Sequence, residues 1–241
     1  MRRITSVTLA AMIAASCASA QNTDGAVVET PAGVSVNGFV GDGTVTLLEE
    51  KLRPGGELKI HSTGGSTAAA PRVVSLLERT DATVETVGSC FSFCALYAVL
   101  PARSARVTEG STLLFHSTPA LWEKLRRHRP QLISEGVSAL IDETSRALGE
   151  GLRRRGIDPA ILECIDNATE PRIDETRRPL TDGRPRIPFG KEFVWLSPAV
   201  LEHFGVRNIQ FEWTLAVDAR DSFERMNNLT VAWIDDPAQC A

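Results

Sequence analysis

Twice between residues 57 and 100 the chain runs an alternating strand into a small-residue turn and then into an apolar-faced helix. Residues 57–61 read as a strand, Gly64-Gly65 as its turn, and 67–79 as a helix burying Val73, Val74, Leu76 and Leu77. Residues 82–87, the turn from Gly88, and a helix over 92–100 repeat the unit, and 103–107 and 112–116 add strand material. Period-2 segments alternating with period-3.6 segments across short connections predict an α/β fold with a mainly parallel sheet. In such sheets chemistry collects outside the carboxyl ends of the strands. Gly64-Gly65, Ser92 and His116 all fall at or just past such ends.

The flanks have their own character. Residues 34–40 alternate as a strand, and 44–52 carry Val45, Leu47, Leu48 and Leu52 at helical spacing. From 119 to 167 the pattern is helical and charged, with Asp158 as an N-cap and Pro159 at the first helical position. Residues 169–190, rich in Pro, Arg and Asp, read as an exposed loop. A strand at 193–196, a short helix over 198–204 and terminal strands within 206–218 and 229–234 complete the expectation.

Met1-Arg2-Arg3, the apolar stretch 7–15 and Ala18-Ser19-Ala20 form a basic, apolar and small-residue series that reads as an export signal over 1–20. The apolar stretch falls short of the ~20 residues a spanning helix needs, so after cleavage no transmembrane anchor is expected. Cys17 lacks the usual leucine upstream of a lipoprotein site, which argues against lipidation. The expected organisation is signal (1–20), flexible leader (21–33), main domain (34–210, with a helical insertion at 119–167) and a C-terminal stretch (211–241). The formal net charge of −4, with Lys51, Lys59, Lys124 and Lys191 as the lysines, speaks against a nucleic-acid partner. The clusters Arg153-Arg154-Arg155 and Arg177-Arg178 read as solvated surface.

An exported chain meets an oxidising compartment, periplasmic or extracellular. Cys90, Cys94, Cys164 and Cys240 are then disulfide candidates whose pairing is open. Cys164 with Cys240 would tie down the tail, and Cys90 with Cys94 would brace the turn at Ser92. A zinc site on Cys90, Cys94 and His116 lacks a fourth ligand, so no metal and no cofactor are expected.

Ile60-His61-Ser62-Thr63-Gly64-Gly65-Ser66 resembles the Ile-Asn-Ser-Pro-Gly-Gly-Ser signature of Clp protease proteolytic subunits. Gly88-Ser89-Cys90-Phe91-Ser92-Phe93-Cys94-Ala95 is similar, position for position, to that family's Gly-Gln-Ala-Ala-Ser-Met-Gly-Ala. His116 follows Ser92 at close to the family's serine-to-histidine separation. Val36-Asn37-Gly38-Phe39-Val40 resembles the opening strand, and Leu196-Ser197-Pro198 through Phe204-Gly205-Val206 the closing segment. The resemblance implies a Clp protease/crotonase-like spiral of repeated β-β-α units with a helical insertion, and a serine peptidase acting on a peptide or protein. Within it Ser92 is the nucleophile, His116 its general base, and the amides of Gly64, Gly65 and Phe93 the oxyanion hole. A homo-oligomer is implied by the same analogy.

Elementary chemistry agrees with those roles. A serine hydroxyl needs a base to take its proton, and one backbone donor at a developing oxyanion can supply roughly 3–4 kcal/mol. Each residue also has an ordinary reading: Ser92 as a helix cap, the glycines as a plain turn, His116 as a core residue. The third member is the departure. Where the family places an aspartate, at the matching position before Ser197, stands Pro188. Asp166, Asp182 and Glu192 are the nearby candidates, Asp166 at a helix end and Glu192 nearest the closing strand. A serine–lysine dyad through Lys124 or Lys191 finds no matching element, His61 beside the glycine turn has no assigned facing, and His128 and His203 need no role. Two alternatives to a peptidase follow: an inactive binding or scaffold protein of the same fold, and an acyl-ester hydrolase using the same oxyanion hole.

Overall fold

A computed structural model describes residues 24–169, 171 and 189–240. The expected export signal, Cys17, Pro188 and Asp182 lie outside the described residues. Among the described residues, strands β1 (Ala26–Thr30) and β2 (Gly33–Asn37) come first, as an antiparallel pair. Then come helix α1 (Asp42–Lys51), β3 (Glu57–Ser62), α2 (Ala70–Thr80) and β4 (Thr83–Phe91). A π-helix (Cys94–Val99) leads to β5 (Ser104–Val107) and β6 (Thr112–Leu114). Helices α3 (Pro119–His128), α4 (Glu135–Arg155) and α5 (Ala160–Ala168) follow. The chain continues through β7 (Phe193–Leu196), α6 (Pro198–His203), β8 (Ile209–Phe211), α7 (Arg220–Asn227) and β9 (Val231–Ile234).

The sheet order is β1-β2-β3-β4-β5-β8, with β6 also paired to β4, and every pair beyond β1–β2 is parallel. The mixed α/β architecture predicted from the alternation is therefore present. Its two faces differ. Val34, Val36, Leu58, Ile60 and Val84 point into a core shared with Leu48, Leu77, Leu96 and Leu148. The intervening residues carry charge: Lys59 lies opposite Glu85 at 3.0 Å, and Glu85 opposite Arg106.

Several expectations shift at their edges for identifiable reasons. Residues 26–30, expected in a loose leader, form the edge strand β1, paired in antiparallel register with 33–37 and with Val27 packed against the core. Strand β4 does not stop at Val87. It passes through a register shift beside Gly88 (φ +80°) and runs on to Phe91, pairing Ser62 with Cys90. β8 spans the expected boundary at residue 210 and belongs to the main sheet. The C-terminal stretch adds a helix, α7, anchored where Arg220 lies over the rings of both Trp195 and Trp233 and forms a paired contact with Asp235 at 2.6 and 2.7 Å. β9 pairs with β7 in a second, two-stranded parallel sheet, tied to the first where Phe115 and Val194 exchange backbone bonds of 2.8 Å.

Helix α4 shows why the insertion packs as it does. Val137, Ile141, Thr144, Leu148 and Leu152 recur at three and four residues and are all buried. Ser134 accepts from the Val137 amide at one end, and Gly156 ends the helix at φ +67°. At α5 the predicted cap is present, with Asp158 accepting from the Ala160 amide at 2.9 Å. Cys90 is bonded to Cys94 and Cys164 to Cys240, with Cα separations of 5.2 and 4.7 Å.

Candidate active site

Three adjacent parallel strands end together. The register sets Ser62 beside Cys90, Cys90 beside Leu113, and Phe91 beside Leu114. The residues that leave these strands are Thr63-Gly64-Gly65, Ser92-Phe93 and Phe115-His116, so strand pairing alone delivers them to one rim. Gly64, Gly65, Ser92, Phe93 and His116 line a single cavity of about 370 Å³.

Ser92 reverses the chain between β4 and the π-helix with φ at +54°, a conformation that costs a non-glycine residue roughly 1–3 kcal/mol. It is held there from both sides. Its amide donates to Leu114 O at 2.8 Å, and its carbonyl accepts from the Leu96 amide at 2.9 Å. The Cys90–Cys94 bond spans the same turn. Among the described residues Ser117, beside His116, shares both a positive φ (+48°) and the cavity.

The two glycines separate in role. Ser62 Oγ donates to Gly64 O at 2.7 Å and receives the Gly64 amide at 3.2 Å, so that N–H is already engaged. The Gly65 amide has no acceptor among the described residues, and the Phe93 amide lies in the first turn of its helix, where N–H groups lack intrahelical partners. A Cβ on Gly65 would come within 2.6 Å of the Phe93 ring and 2.7 Å of Val40 O, whereas one on Gly64 would meet nothing within 4 Å. Among the described residues the Gly64 amide is thus engaged within its own turn, whereas the Gly65 amide has no acceptor and the Phe93 ring closes on Gly65.

His116 is half-buried, its ring tilted on Phe193 at 5.0 Å and edge-on to Phe189 at 6.3 Å. Asp166 and Glu192, two of the three carboxylates expected to support it, have other partners. Asp166, 6% exposed on α5, accepts from the Thr118 amide at 2.9 Å and from Thr118 Oγ1 at 2.6 Å. Burial raises its pKa to about 6 against the lowering effect of those bonds. Thr118 in turn caps α3 by accepting from the Ala120 amide. Asp166 therefore anchors the turn that follows His116. Glu192 is exposed and receives the Thr230 amide at 3.1 Å, at the start of the β7–β9 pairing. Among the described residues neither carboxylate is hydrogen-bonded to the imidazole.

The other candidates lie apart from the cavity. His61 Nδ1 sits 2.9 Å from Val87 O and 3.0 Å from the Ser89 amide, bracing the β4 register shift. Lys124 and Lys191 do not line the cavity. Cys164 joins α5 to the C-terminal turn, and no cluster fit to hold a metal occurs among the described residues. What sequence reasoning missed is the wall opposite the rim, contributed by Trp122, Leu140, Ile141 and Thr144. The sequence marked this stretch only as helical and charged.

No family model matches the chain, and no curated protein matches it. Among solved structures the chain is similar to a mutant ClpP1 from Listeria monocytogenes, at 14% identity and a TM-score of 0.31. That likeness covers 49% of this chain and 71% of the other, and it concerns backbone alone.

Proposed function

We propose that the chain is an exported serine hydrolase, a peptidase of the Clp protease/crotonase spiral type, with Ser92 as nucleophile and His116 as base. The observation that carries this reading is the shared cavity, where Ser92 in its left-handed turn, His116 and the Gly65 and Phe93 amides come together. His116 takes the hydroxyl proton as Ser92 Oγ attacks the scissile carbonyl. The developing oxyanion is received by the Gly65 and Phe93 amides. Collapse of the tetrahedral adduct expels the amine, which takes the proton back from His116, leaving an acyl-enzyme. Water, deprotonated by His116, then releases the acid and restores the serine. The apolar wall of Trp122, Leu140 and Ile141 supports an apolar side chain on the acyl portion. Export is supported by the basic and apolar N-terminal series and by two disulfides.

A second reading is a binding protein of this fold without turnover. Hydrolysis of a fluorogenic peptide set and a matched ester set decides. The proposal expects peptide cleavage that vanishes in Ser92→Ala and falls by about 10³-fold or more in His116→Ala. Cleavage of esters alone selects the acyl-ester hydrolase. Absence of any turnover by folded wild type selects the binding protein.

A further inference from the structure

Resting on Ser92 as nucleophile, we infer that Cys90 and Cys94 are positioning residues whose disulfide holds the Ser92 turn in its reactive geometry, so that reactivity appears only once the bond has formed. The bond encloses Phe91-Ser92-Phe93, and Ser92 is the left-handed residue at its centre. Each end is fixed to a different element. Cys90 lies in β4 in register with both Ser62 and Leu113, and Cys94 begins the π-helix. Both are fully buried. The Phe93 ring, inside the bridged segment, packs where a Gly65 side chain would be, so the bond also sets the spacing of the two oxyanion amides.

The second disulfide provides the contrast. Cys164–Cys240 closes a sequence separation of 76 and restrains the unfolded chain far more than a bond across a separation of 4. The short bond restrains the unfolded ensemble as well, but less; what it adds is control of local geometry. It forms when the two thiols lose two electrons and two protons to a disulfide oxidant, which leaves as two thiols. A chain still in a reducing compartment therefore carries the whole site except its alignment.

Fluorophosphonate labelling at several probe concentrations separates the inactivation rate constant from probe affinity. In Cys90→Ala/Cys94→Ala, and in wild type folded in a dithiol, the rate constant falls between about 10-fold and 100-fold while affinity stays within about twofold. Oxidised glutathione restores the reduced wild type, and Cys164→Ala/Cys240→Ala keeps the wild-type rate constant. A folded double variant, checked by near-UV circular dichroism, that labels at the wild-type rate overturns the inference. So does a chain that folds only with the short bond formed, which makes its role structural. If oxidised wild type is not labelled at Ser92, the underlying reading fails and this one with it.

Discussion

The rim and the wall of the cavity are built by different means. On the rim the proposed chemistry is main chain: two amides, a serine in a left-handed turn, and a glycine against which no side chain fits. The wall opposite is side-chain packing on α3 and α4, where Trp122, Ile141 and their neighbours form a separate apolar cluster. Backbone geometry is set by a few torsions and fails abruptly, whereas packing yields in increments as atoms are removed. Damage on the rim is thus expected to abolish the reaction, and damage on the wall to reshape it.

The sharpest way to break that contrast is Gly65→Ala. The new methyl group must displace Phe93 or the Val40 carbonyl, so kcat should drop by about 10²–10³, comparable with loss of an oxyanion donor. Near-wild-type turnover would move the oxyanion amides elsewhere. Ile141→Ala probes the wall. With Ile141 2% exposed, unfolding free energy should fall by about 2–5 kcal/mol in denaturant titration. KM for bulky apolar substrates should rise while kcat changes little.

Asp166 joins wall to rim, and its charge gives the seam a pH dependence. Its folded pKa of about 6 lies above the ordinary carboxylate value, so the folded chain holds this proton more tightly than the unfolded one. Between pH about 4 and 6 folding takes up a proton, and this contribution to stability grows as pH falls. Above pH 6 the buried charge is a cost of at most about 3 kcal/mol. Asp166→Asn should flatten that slope and leave the protein as stable or more stable at pH 7.5, measured by urea unfolding across the range. A variant clearly less stable at pH 7.5 would mean the Thr118 bonds need the charge. The smallest effect belongs to Gly64→Ala, where the added methyl meets open space. Activity should stay within about threefold of wild type.

These contrasts also show what was legible in the residues. Strand, turn and helix signals are local, and parallel pairing of β3, β4 and β6 converts them directly into a shared rim. Gly64-Gly65, Ser92, Phe93 and His116 could therefore be read before any coordinates. The closer surroundings of Gly65 could not, because they depend on the Phe93 ring and the Val40 carbonyl, both distant in sequence. The partner of Asp166 was hidden for the same reason: docking of α5 brings Thr118 to it across 48 residues. Helix α7 escaped because its first residue is an arginine, and what holds it is a pair of tryptophans from β7 and β9.

The central claim is that Ser92 is a nucleophile made reactive by its turn and by His116. Its most direct test is mass-spectrometric mapping of the adduct formed by a fluorophosphonate on oxidised, folded protein. The account predicts one phosphonylated peptide, carrying the modification on Ser92, and none in Ser92→Ala. An unmodified Ser92 in the folded wild type, or an adduct that persists in Ser92→Ala, would contradict it.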